Sequence, residues 1–186
     1  MNKPVQARSL VMIERVLGSA ESLVTRQGIG SLTMDAVAAE AGVSKGAVLH
    51  HFRTKDALVE ALVSRKLHTL ESDLESHMAD LPEDGSRTLL GMVRQATSQY
   101  ADGQAFPRAL LVAAVENSNG LDQFKALFAE TLRRVETEAN GREANPVLLF
   151  AILGLLLTKS LGIADLEPER AQHMFDTIAR AARGTA

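Results

Sequence analysis

The sequence predicts an all-α protein: an N-terminal three-helix domain that contains a helix-turn-helix, followed by a larger C-terminal helical domain, about nine helices in total. Three observations predict it. Apolar residues recur at helical spacing along nearly the whole chain. Glycine, proline and asparagine interrupt that pattern where helices need to end. No stretch alternates apolar and polar residues as a half-buried strand would.

The first helix is expected over residues 7–27, where Leu10, Ile13, Leu17, Ala20 and Val24 form one stripe and Gly28 offers a left-handed stop. Thr33 is placed to cap the next helix, with Asp35 in its first turn, where the helix dipole favours a carboxylate. Met34, Val37, Ala38 and Ala41 share a face, and Gly42 ends the helix. Only Val43 separates that glycine from Ser44, a second capping residue, so the following helix must leave at a steep angle. It ends by Phe52, and Thr54 can cap a long helix carrying Leu58, Leu62 and Leu67 toward Met78. Beyond Leu81–Gly85, helices are expected near 86–102, 106–117, 121–139, 146–163 and 168–183. The domains are therefore placed at residues 1–54 and 55–186.

Composition narrows the function classes. With 186 residues, 46% apolar and 23% charged, the chain is an ordinary soluble globular protein long enough for a real core. Cysteine is absent, which excludes disulfides, thiolate metal sites and a cysteine nucleophile, and fits the cytoplasm. Residues 1–9 lack the apolar core of a secretory signal, so export is not expected. The longest apolar run, Val147–Leu157, falls short of the ~20 residues that span a bilayer. The net charge of −3 divides into +3 over residues 1–66 and −6 over residues 67–186, the balance of a phosphate-facing N-terminal third.

No phosphate loop, dinucleotide glycine fingerprint, H-E-x-x-H or G-x-S-x-G stands in a usable context, so no enzyme, catalytic residue or cofactor is expected. His50 and His51 point about 100° apart on a helix and have no third ligand nearby, which argues against a metal. Glu71, Asp73 and Glu75 follow a solvated helix face.

The segment from Thr33 to Lys55, TMDAVAAEAGVSKGAVLHHFRTK, carries the chemistry. In a helix-turn-helix the second helix enters the DNA major groove by its N-terminal end. Ser44 presents a hydroxyl to phosphate, and Lys45 offers a mobile cation to phosphate or to guanine. Gly46 and Ala47 are small enough for the backbone to approach base edges, and the alanine methyl can meet a thymine methyl. His50, His51 and Lys55 can grip the backbone, while Val48 and Phe52, spaced i, i+4, pin the helix to the core.

Over about residues 8–66 this segment resembles the TetR family of repressors, whose signature runs from a capping Thr through A-x-x-A-G-V-S-x-G-x-x-Y-x-H-F to a Lys. Here the matching residues are Thr33, Ala38, Ala41, Gly42, Val43, Ser44, Gly46, His51, Phe52 and Lys55. The chain departs from the pattern at Leu49, which stands where the family commonly has a phosphate-contacting Tyr and cannot hydrogen-bond. The resemblance implies a homodimer on a palindromic operator, repression as the usual outcome, and release when a small ligand enters the C-terminal domain. A dimeric small-molecule-binding protein with degenerate DNA reading, or an activator, is the alternative.

In the C-terminal domain the helix from Pro146 to Ile163 is apolar almost all round, which calls for a partner helix. Ala151, Gly154 and Thr158 form a small-residue stripe, and Met174, Phe175 and Ile178 a stripe on the last helix, together suggesting a two-fold four-helix interface, with the protomer's own core as the alternative use of these stripes. Leu89, Val93, Ala96 and Tyr100, with Leu110, Leu111, Phe124, Leu127 and Phe128, are the candidate walls of a pocket for a largely apolar ligand.

Overall fold

The computed structural model describes residues 3–101, 111, 118–139 and 144–184. All regular structure among them is helical. The helices are α1 (Lys3–Gln27), α2 (Met34–Ala41), α3 (Lys45–His51), α4 (Lys55–Met78), α5 (Arg87–Ala101), α6 (Ser118–Glu138), α7 (Ala144–Ser160) and α8 (Pro168–Arg183), with a 3-10 turn at Ile29–Ser31. The helix expected at 106–117 lies outside the described residues apart from Leu111.

The described residues gather into two compact units. One holds the chain up to Lys66 together with the start of α6, as far as Gln123. The other runs from Leu67 and includes α6 from Phe124 onward, so this division falls inside α4.

In the first unit, Val16, Leu17, Ala20, Leu23 and Val24 of α1 are buried with Leu32, Val37, Ala38, Ala41, Val48 and Phe52, and with Leu58, Val59, Leu62 and Val63 of α4. The i, i+4 spacing of Val48 and Phe52 thus does turn both inward, as expected. Leu10, expected on the α1 stripe, is 63% exposed, because the inward-facing part of α1 begins further along the helix. Arg65 of α4 ties back to α1 through Glu14, at 3.5 Å, and Glu21. Asn119, at the start of α6, donates to Glu60.

In the second unit, Leu89, Leu90, Val93, Ala96 and Tyr100 of α5 form a core with Val135, Leu149, Ile152, Ala171, Phe175, Ile178 and Ala182. A side chain added at Gly91 would collide with Met78 and press on Leu74, so glycine is what lets α4 and α5 approach here. The N-terminus of α5 is capped from a distance. The Glu138 carboxylate accepts from the Thr88 backbone N–H at 2.7 Å and from the Thr88 hydroxyl at 2.6 Å. Asn145, fully buried, donates to the Gly85 carbonyl at 3.2 Å. No described helix is long and apolar enough to cross a membrane.

Candidate nucleic-acid interface

The turn between α2 and α3 is fixed by its end groups. The Thr33 hydroxyl accepts from the Ala36 N–H at 3.1 Å and so caps α2. Gly42 closes α2 in the left-handed region, at φ 62° and ψ 40°, where a side chain costs roughly 1–2 kcal/mol. Its N–H donates to Ala39 and that of Val43 to Ala38, the paired bonds of a Schellman ending. Ser44 then caps α3 by accepting from the Ala47 N–H at 3.1 Å. With Val37, Ala38 and Val48 buried beneath, these caps leave α3 one direction to follow.

That direction leaves the front of α3 exposed. Ser44, Lys45 and Gly46 are exposed and Ala47 is half-buried. Both capping hydroxyls use only an acceptor lone pair in the caps, so their O–H groups remain able to donate. Gly46 has no internal reason to be glycine, since the nearest atom to an added Cβ would be the Ser44 Oγ at 3.8 Å. A glycine inside a helix costs about 1 kcal/mol against alanine, a cost that no contact of Gly46 within the described residues explains.

Further along, His50 is exposed and His51 half-buried, with their rings edge to face at 5.0 Å. Lys55 is exposed, and its ammonium reaches the Ile29 carbonyl at 3.4 Å, a tie to the turn that precedes α2. Leu49 is 36% exposed and faces outward beside the histidines. Sequence reasoning missed the partner of Lys45. Its Nζ lies 2.8 Å from the carboxylate of Asp35, a residue assigned only to the dipole of α2. The two are ten positions apart, and only the helix-turn-helix geometry that brings the first turns of α2 and α3 together could have signalled the pair.

The other predicted residues divide. Leu89, Val93, Ala96 and Tyr100 come together on one face of α5, buried in the core of the second unit, and Phe128 packs at its edge. Phe124 and Leu127 are half-buried. Leu111 is half-buried in the first unit, and Leu110 lies outside the described residues. A cavity of about 270 Å³ opens beside Tyr100, lined also by Thr97, Lys159, Leu166 and Phe175. There the Tyr100 hydroxyl accepts from the Leu166 N–H at 2.9 Å, and Lys159 stands 4.0 Å over the tyrosine ring while pairing with Asp165.

On α7, Ala151 is exposed and Gly154 and Thr158 are half-buried, and Met174 of α8 is exposed. Phe175 and Ile178, expected at an interface between copies, are instead buried in the protomer's own core, because the apolar stripe of α8 packs onto α5 and α7.

A capped two-helix turn with a small, exposed, cation-bearing front is the geometry of a helix-turn-helix. The family model described as bacterial regulatory proteins, tetR family, matches residues 16–62, and the tetracyclin repressor-like C-terminal domain matches residues 86–183. The chain belongs to the tetR family.

The HTH-type transcriptional regulator SrpR of Pseudomonas putida is 35% identical over 60 residues, which cover 32% of this chain and 28% of SrpR. The matches to curated relatives span less than half of those proteins' own length. Among solved structures, the multidrug binding protein EbrR complexed with ethidium aligns at a TM-score of 0.66 and 22% identity, over 90% of this chain and 97% of that one. NalD, the secondary repressor of the MexAB-OprM multidrug efflux pump in Pseudomonas aeruginosa, aligns at 0.61 and 16%, over 93% and 96%. At such identities the likeness is one of fold.

Proposed function

We propose that the chain is a cytoplasmic homodimeric repressor that occupies a palindromic operator and is released by a small, largely apolar ligand. Residues 1–54 read DNA, and residues 55–186 dimerise and take the ligand. The observation that carries this reading is the front of α3, where Lys45 and Gly46 are exposed and no packing inside the protomer asks for glycine at position 46. Ser44, Lys45, Gly46 and Ala47 meet the groove, and Thr33, His50, His51 and Lys55 grip phosphates on either side.

Dimerisation is supported by the outer face of α7. Val147 is 67% and Phe150 56% exposed, with Leu157 beside them and Met174 on α8, apolar surface that a second copy would cover. One recognition helix reads few base pairs, whereas two placed about 34 Å apart read a palindrome. The ethidium held by EbrR, a flat and largely apolar cation, supports a ligand of that kind here. The cavity beside Tyr100 supports a place for it in the second unit. To switch the population nearly completely, the ligand must prefer the DNA-incompetent state by about 5.5 kcal/mol.

The test is selection of DNA from a random pool at about 0.15 M salt, repeated with Lys45→Ala and His51→Ala. The expected result is a palindrome with half-sites about one helical turn apart that Lys45→Ala no longer enriches. No enrichment by the unaltered protein would overturn the repressor reading in favour of a small-molecule-binding dimer with degenerate DNA reading.

A further inference from the structure

The ion pair between Lys45 and Asp35 has little to do for the fold. Its side chains are 52% and 71% exposed, a setting in which such pairs add about 0–1 kcal/mol. The angle between α2 and α3 is already held by Gly42 and by buried Val37, Ala38 and Val48. What the pair changes is the charge at the front of α3.

An uncompensated lysine there would be drawn to any phosphate, whatever the sequence of the DNA. With a carboxylate 2.8 Å from Nζ, the net pull toward the backbone falls, yet only one of the ammonium's three N–H donors is taken. The remaining donors suit a directional acceptor such as guanine O6 or N7 better than a diffuse negative field. Asp35 is well placed for this, because it sits in the first turn of α2, two residues after the Thr33 cap.

We propose that Asp35 is a specificity-setting positioning residue, which holds Lys45 off the phosphate backbone and presents it to base edges. It thereby weakens binding to random DNA more than binding to the operator. The proposal rests on the reading of α3 as the DNA-contacting helix.

The test uses the full-length dimer and two duplexes roughly three helical turns long, one of random sequence and one carrying the selected palindrome. Affinity is measured by fluorescence anisotropy over a range of salt. Asp35→Asn frees one cation per subunit, so the salt slope on random DNA should steepen by about 0.9 per subunit, and affinity at about 0.15 M salt should rise about fivefold per subunit. The ratio of palindrome to random affinity should fall.

Asp35→Glu, which keeps the carboxylate, should retain the unaltered slope. In a Lys45→Ala background, Asp35→Asn should change nothing. If Asp35→Asn leaves slope and affinity unaltered while Lys45→Ala still weakens palindrome binding, the proposal falls and the DNA reading stands. Equal tightening with and without Lys45 would also overturn it, since Asp35 would then act as a bare repelling charge. If Lys45→Ala alters binding to neither duplex, both readings fall together.

Discussion

In the first unit α2 and α3, of 8 and 7 residues, are fixed end by end: a hydroxyl at each start, and a left-handed glycine between them. In the second unit α5, α7, α8 and the part of α6 from Phe124 onward are fixed face by face, through an apolar core that includes Leu149, Ile152 and Phe175. A helix of two turns has too little surface to orient itself by burial alone, so hydrogen bonds at its ends set its direction together with the few side chains beneath it, here Val37, Ala38 and Val48. A helix of four or five turns is oriented by whatever covers its stripe. End-fixing is short-range and leaves one whole side of the helix exposed, whereas face-fixing uses up most of the apolar side.

The largest effect that would test this contrast is Phe175→Ala, which opens the centre of the face-fixed core and should lower stability by about 3–5 kcal/mol in urea unfolding. Binding of DNA by the folded fraction should be unaltered. Gly91→Val forces a side chain into the space filled by Met78 and Leu74 and should lower stability by about 1–3 kcal/mol, with the same separation of stability from DNA binding.

The end-fixed pair should respond the other way. Gly42→Ala places a Cβ in the left-handed region and 3.0 Å from the Arg15 guanidinium, lowering stability by about 1–2 kcal/mol. It should also weaken palindrome binding beyond what the loss of folded protein explains, since α3 is re-aimed. Smallest in stability, Ser44→Ala should cost about 1 kcal/mol through the lost cap, and its DNA affinity should again fall by more than that. Equal scaling of stability and binding in all four variants would show that the two kinds of fixing are not distinct.

That difference also governs how much could be read from the residues alone. Thr33, Gly42 and Ser44 are local signals, and their roles as caps and turn follow from their neighbours in the chain, as the structure finds them. Partnerships formed across the fold left no such trace. Glu138 reaches Thr88 fifty positions away to cap α5, and nothing in the spacing of either residue announces it. Phe175 and Ile178 read as a stripe for an interface between copies, because helical period shows that a face is apolar but not which surface covers it. Asp35 lay between these cases, a local dipole partner in sequence and a partner of Lys45 in space.

The openness around Gly46 has a consequence for how the protein can change. Because a Cβ there would meet nothing closer than 3.8 Å, the reading edge can be rewritten without renegotiating the scaffold. A library randomised at positions 46, 47 and 49 should yield mostly folded dimers with scattered target preferences, whereas one randomised at 37, 38 and 48 should yield mostly aggregates. If the proposed reading of α3 holds, single substitutions at its front could change the DNA target while the fold stays constant.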